Sequence, residues 1–163
     1  MNILVIGGGG REHTLCWKLS KSKNCSALFA APGNAGTANC ATNLPIGVSD
    51  FEAIKKAVLE NEIQLVIVGP EEPLVLGIHD FFLNDPHLKT VGVIGPQAAA
   101  ATLEGSKAFA KAFMKRHDIP TAAYAEFTSD TIAEGEAFLE QSQPPYVLKA
   151  DGLAAGKGVL ILE

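Results

Sequence analysis

The stretch NILVIGGGGREHTLCWKL, residues 2–19, reads as a buried strand that runs into glycines and leaves them as a helix. Ile3 to Ile6 is an unbroken apolar run, and Leu15, Cys16 and Leu19 recur at helical spacing beyond the glycines. A glycine turn that opens a helix favours an anion, because the first N–H groups lack intrahelical partners and the helix dipole attracts negative charge. A dinucleotide is the first candidate. Its fingerprint, G-x-G-x-x-G, needs the third glycine for close packing of helix on strand. Counted from Gly7 that place holds Glu12, and counted from Gly8 it holds His13. The next strand, ALFAA from Ala27 to Ala31, leads into PGNAGT and offers no acidic residue for a ribose hydroxyl. A nicotinamide cofactor is disfavoured, and a phosphate is retained.

Working outward, Asp50 is placed to cap a helix FEAIKKAVLENE, with Phe51, Ile54 and Val58 on one face. Gln64 to Val68 of QLVIVGP is an apolar strand stopped by Gly69 and Pro70; EEPLVLGIHDFFLND reads as one helix, and TVGVIGP as a strand ending at Gly95 and Pro96. Strands without polar alternation, separated by helices, predict an α/β fold with a parallel sheet covered on both faces. Ligands of such sheets bind beyond the carboxyl ends of the strands. That rule selects GGGGREH, PGNAGT, GPEEPL and IGP.

Beyond Pro96, QAAAATLEGSKAFAKAFMKRHDIPT predicts a bridging helix with Phe109 and Phe113 on its stripe and Pro120 as its stop. The remainder from Tyr124 reads as strand, helix, strand, glycine loop, strand. So small a layer buries little surface, and the expectation is that the chain is the front part of a larger protein or a fragment of one.

Thirteen basic and eighteen acidic residues give a net charge of −5, with seven basic and nine acidic up to Pro96, then six and nine. Neither half has the basic excess that nucleic acid binding draws on. Cys16, Cys25 and Cys40 fit neither a zinc site nor a disulfide framework, and read as reduced cytoplasmic thiols. No signal peptide is read at the start, and no apolar run approaches the ~20 residues of a membrane span. His13, His79, His87 and His117 show no metal spacing, and Trp17 is expected to pack beside the core face of its helix.

Two groups of residues carry candidate chemistry. In VLKADGLAAGKGV, Gly152, Gly156 and Gly158 surround Lys157, with Lys149 at the preceding strand end. This is no P-loop, since Gly158 follows Lys157 and a strand follows that. It is either a flexible flap laid over polyphosphate or a glycine-rich hairpin with a solvated lysine. Lys107 starts a helix, where a cation opposes the dipole at a cost of about 0.3–1 kcal/mol unless an anion is near. On the other side, Glu71 and Glu72 follow a strand end, as acceptors for a hydroxyl or amine or as favourable first-turn charge. Asn34 and Thr37 of PGNAGT are donors in a tight turn or parts of the turn itself.

Taken together, GGGGREH, APGNAGT, VGPEEPLVLG, IGP, LEGSKAFAKAFM, IPTAAY and VLKADGLAAGKGV resemble, in this order, the amino-terminal part of the phosphoribosylamine-glycine ligases, ATP-grasp enzymes of purine synthesis. The resemblance implies a Rossmann-like pre-ATP-grasp domain over 1–96, a linker helix over 97–120 and the start of an ATP-grasp lid domain over 121–163. It implies a ligase that joins glycine to 5-phosphoribosylamine through glycyl phosphate, with ATP and magnesium, in the cytoplasm. Lys107, Lys149, Gly152, Gly156, Lys157 and Gly158 would lie on the ATP side, and Gly9, Gly10, Gly33, Asn34, Thr37 and Glu71 on the phosphoribosylamine side. The family's adenine-binding hinge and its magnesium ligands, a Glu and an Asn, come later than Glu163. The implication is that these 163 residues alone do not catalyse the reaction. Two other readings stay open: a Rossmann oxidoreductase, and a non-catalytic phosphate-ester-binding or assembly module.

Overall fold

The first strand, β1 (Asn2–Gly7), is buried on both faces, and the first half of the chain is built around it. In the computed structural model, which describes residues 1–154 and 156–163, the chain divides into two units, Met1–Ala101 and Thr102–Glu163.

In the first unit β1 is followed by α1 (Gly10–Leu19), β2 (Ala27–Pro32), β3 (Thr42–Asn43), α2 (Phe51–Glu60), β4 (Ile63–Val68), α3 (Glu71–Val75), α4 (Ile78–Asn84), β5 (Gly92–Ile94) and α5 (Ala98–Gly105), the last running across the boundary. All five strands are parallel, in the order β3-β2-β1-β4-β5. Alternate residues of β1 serve opposite cores. Leu4 and Ile6 join Ile54 and Val58 of α2 and Ile78 and Phe82 of α4, whereas Ile3 and Val5 join Cys16 of α1 and Leu28 and Ala30 of β2. Each such side chain contributes about 1.5–3 kcal/mol on full burial, which explains why β1 shows no polar alternation.

The register fixes where the strands end. Gly7 lies opposite Pro32, Ile6 opposite Val68, and Ile67 opposite Ile94, so GGGG, PGN, GPEE and IGP all emerge at one edge. Because β1 neighbours both β2 and β4, the chain reverses its direction of winding there, and the crevice opens between β1 and β4.

Several elements differ from the sequence reading. EEPLVLGIHDFFLND is two helices, because Gly77 takes a left-handed φ of +90° that ends α3 and starts α4. Trp17 is 51% exposed, since the buried face of α1 is Glu12 and Cys16; its ring is covered by the Lys21 ammonium, 3.6 Å from the centroid. The segment read as one linker helix over 97–120 breaks at Ser106, whose extended backbone stops α5 and whose hydroxyl caps α6 (Lys107–Arg116) by accepting from Phe109 N–H at 3.1 Å.

The second unit continues with α7 (Ile132–Glu140) and an antiparallel pair, β6 (Tyr146–Lys149) and β7 (Val159–Leu162). The strand expected from Tyr124 is irregular; Phe127 instead packs its ring on Phe138, 5.6 Å between centroids, over the space left by Gly135. No described residue of this unit is buried.

One ion pair ties α2 to the end of α4. Asp85 accepts from Lys55 Nζ and from His87 N–H, and the Lys55 bond above all holds its carboxyl below the usual carboxylate range while the Lys55 ammonium is pushed up. A depressed carboxyl stabilises above its unfolded pKa and loses that contribution as pH falls through its folded value; the raised lysine stabilises below its unfolded pKa and loses it as pH rises through its own. Asp85→Asn is therefore expected to be less urea-resistant than the parent at pH 7 and equal to it in strong acid. A difference that does not change with pH would show that the charge is not the cause.

Candidate functional site

The site at the strand edge is organised by Glu12, a residue that the sequence reading noticed only as the one spoiling the dinucleotide fingerprint. Gly9 precedes α1 with an extended backbone, so Glu12 is the third helical residue, and its carboxylate turns back to accept from Gly9 N–H at 2.7 Å. The other oxygen accepts from Arg11 Nε at 3.0 Å, and the side chain is nearly fully buried. Three glycines make room for it. A Cβ on Gly7 would stand 2.6 Å from Glu12 Cγ, one on Gly9 2.8 Å from Oε2, and one on Gly69 2.6 Å from both Cγ and Cδ. Glu12 therefore fills the crevice between the ends of β1 and β4, where the dinucleotide fold would have a glycine.

Gly10 is different, with no atom within 4 Å of where its Cβ would be. The first intrahelical bond of α1 runs from His13 N–H to Gly9 O at 3.0 Å, so the N–H groups of Gly10 and Arg11 precede the helical ladder and mark its anion-favouring end.

The second loop is tied to the first by Asn34. Its amide nitrogen donates to Gly8 O at 2.9 Å and Gly9 O at 3.2 Å, while its oxygen accepts from Gly36 and Thr37 N–H at 2.7 and 3.0 Å. Thr37 is fully buried, its hydroxyl accepting from Asn34 N–H and lying 2.9 Å from Asn34 O and 2.7 Å from Asn43 Oδ1. Both side chains are spent on the frame, so what this loop offers a ligand is its shape and backbone. Gly33, with φ +71°, is where that backbone turns, and Gly36 lies flat against the His13 ring. Asn43 and His13 were not singled out from sequence, because a turn residue's tertiary partners leave no local pattern.

Glu71 begins α3, half-buried, and no hydrogen bond or ion pair among the described residues engages its carboxylate; Glu72 is exposed, 3.4 Å from Ser49 Oγ. The structure thus brings Gly9, Gly10, Gly33, Asn34, Thr37 and Glu71 to one strand edge.

The lysines and the glycine loop belong to the second unit. Lys149 is exposed at the end of β6, and Gly152 and Gly156 turn the β6–β7 connection with φ of +83° and +76°. Ala150 N–H still bonds Gly158 O at 2.8 Å, and Lys157 N–H bonds Ala154 O at 2.8 Å; Ala155 lies outside the described residues. The loop joins two antiparallel strands, which both sequence readings require. Lys107 Nζ donates to Gly152 O at 2.7 Å. Among the described residues no group of three His, Cys, Asp or Glu can hold a metal, and no helix is long and apolar enough to cross a membrane.

Residues 1–104 match the family model "Phosphoribosylglycinamide synthetase, N domain", and residues 105–163 match "Phosphoribosylglycinamide synthetase, ATP-grasp (A) domain". A curated relative, the phosphoribosylamine–glycine ligase of Vibrio vulnificus (strain YJ016), is 50% identical over 163 residues, 99% of this chain and 37% of its own. The crystal structure of a phosphoribosylamine–glycine ligase from Thermotoga maritima is similar with a TM-score of 0.74 at 36% identity, over 99% of this chain and 36% of that one. The N5-carboxyaminoimidazole ribonucleotide synthetase of Thermotoga maritima, at TM-score 0.66 and 19% identity over 99% of this chain and 41% of that one, shares the fold. The chain thus spans little more than a third of the length of the ligases it matches.

If Glu12 is what the glycines accommodate, its removal should relieve an added methyl. Gly69→Ala is expected to destabilise by about 1–3 kcal/mol through overpacking. The double variant Glu12→Ala/Gly69→Ala should fall short of the summed single effects by more than about 0.5 kcal/mol in urea unfolding. Additive effects would break the link.

Proposed function

The chain belongs to the phosphoribosylglycinamide synthetase family, and we propose from that premise that it supplies the phosphoribosylamine side and part of the ATP side of a ligase of purine biosynthesis. In the proposed reaction a glycine carboxylate oxygen bonds to the γ-phosphorus of ATP while the bridging P–O bond breaks and ADP leaves. The amine of 5-phosphoribosylamine then bonds to the acyl carbon of glycyl phosphate, losing a proton as phosphate departs, to give glycinamide ribonucleotide. The protein's share is orientation and charge neutralisation rather than covalent chemistry.

The observation that carries this reading is the common strand edge: GGGGREH, PGNAGT and GPEEP converge on one face, laced together by Asn34 and Glu12. There the N–H groups of Gly10 and Arg11 suit the substrate's phosphate, and Glu71, with an unengaged carboxylate, suits its hydroxyls or amine. Gly9, Gly33, Asn34 and Thr37 act by holding the loop backbones in place. Lys107, Lys149 and Lys157 would neutralise the phosphates of ATP, with Gly152, Gly156 and Gly158 letting the loop approach them. ATP so held supplies the activating phosphoryl group. Magnesium, which the reaction calls for, is assigned no ligand among these residues. Three free cysteines fit a cytoplasmic setting.

The test uses Gly10→Val, because a Cβ at Gly10 meets no atom within 4 Å beyond its chain neighbours and its own helix backbone. Introduced into a ligase in which this chain replaces the matching residues of the Vibrio vulnificus relative, it should raise the phosphoribosylamine KM at least about tenfold and leave the ATP KM within about twofold. An unchanged phosphoribosylamine KM would remove the α1 start from the substrate site. The 163-residue chain by itself should release no ADP with glycine and phosphoribosylamine.

A further inference from the structure

Lys107 sits where a cation opposes the helix dipole, and the anion that relieves it is a side chain of the glycine hairpin. Asp151, the first residue after the β6–β7 ladder ends, accepts from Lys107 N–H at 2.6 Å and Ala108 N–H at 3.2 Å through Oδ1, and from Ser106 Oγ at 3.1 Å through Oδ2. Ser106 in turn takes Phe109 N–H. The first three N–H groups of α6 are thereby consumed inside the protein, and this helix start has none left for a nucleotide phosphate. Lys107 Nζ closes the loop of contacts on Gly152 O, which uses one of its three donors and leaves two. These hydrogen bonds hold the Asp151 carboxyl below the usual carboxylate range, the Ala108 N–H contributing most.

We propose that Asp151 is a positioning residue for the nucleotide-phosphate loop: its carboxylate clamps the base of the Gly152–Gly158 turn to the first turn of α6, so that the loop and Lys107 meet a phosphate in fixed register. This rests on the ATP side of the function proposed above. The clamp lies beside the last ladder bond, Ala150 N–H to Gly158 O, so both ends of the turn are anchored. Helix-start donors satisfied by a carboxylate also explain how a lysine is tolerated at the first position of α6.

The experiment is tryptic cleavage after Lys157, referred to cleavage after exposed Lys23 in the other unit, in the ligase in which this chain replaces the matching residues of the Vibrio vulnificus relative, with and without MgATP as the probe. Asp151→Ala should be cut at Lys157 about tenfold faster relative to Lys23, and should need about tenfold more MgATP for half-maximal protection. Asp151→Asn, which keeps an oxygen for the Lys107 and Ala108 N–H groups, should fall between Asp151→Ala and the parent on both measures, and it carries the test if the alanine variant does not fold. Parent-like cleavage and protection in either folded variant would overturn the clamp. A parent whose Lys157 cleavage MgATP does not slow would overturn the nucleotide role, while the relative cleavage rates would still decide whether the clamp exists.

Discussion

A carboxylate buried where two parallel strands diverge is the constraint on which the first unit's functional edge depends. Burying an unpaired carboxylate costs several kcal/mol, so Glu12 is tolerable only because Gly9 N–H and the Arg11 guanidinium reach it. Its bulk is tolerable only because Gly7, Gly9 and Gly69 carry no side chain. The glycines that look like a cofactor fingerprint are thus required first by a neighbouring residue. What is left over, the open Gly10 position and the helix start, is what faces outward.

Carboxylates recur at the helix starts of this protein, and how many donors each one takes separates open ends from closed ones. Asp50 accepts from Ala53 N–H to cap α2, and Asp80 of α4 accepts from Ala98 N–H at the first residue of α5. Glu12 takes only the N–H of the residue before α1, whereas Asp151 and Ser106 together take the first three of α6. The same chemistry therefore leaves α1 attractive to an external anion and withdraws α6 from that use. In the proposed function, the cations available to a phosphate in the second unit are the side chains of Lys107, Lys149 and Lys157.

The parts of this architecture that were legible in the sequence are those written as local contrast. Ile3 to Ile6 and Leu65 to Val68 are apolar without alternation because both their faces are covered, and Asp50 sits three residues before the N–H that it caps. At Gly77 the apolar period continues across the break, so only the backbone conformation reveals two helices, whereas the helix start at Lys107 is legible and the separate helix α5 before it is not. Trp17 was misplaced by one position on the helical wheel, since Cys16 fills the inward place. Glu12 had a faint signal, a glutamate third in a helix after an extended glycine, but its meaning depends on Gly69, 57 residues away in the sequence and adjacent only after β4 pairs with β1.

Trp17 is the chain's single tryptophan. It stands one helical turn beyond His13 on the same short helix whose first residues form the glycine site, half-exposed and overlaid by the Lys21 ammonium. Nature has in effect placed an optical label on the helix that opens at the glycine turn. The indole emission reports on a solvent boundary and a cation at α1, free of interference from any other indole, so events at the phosphate-favouring edge can be followed by fluorescence without attaching a dye.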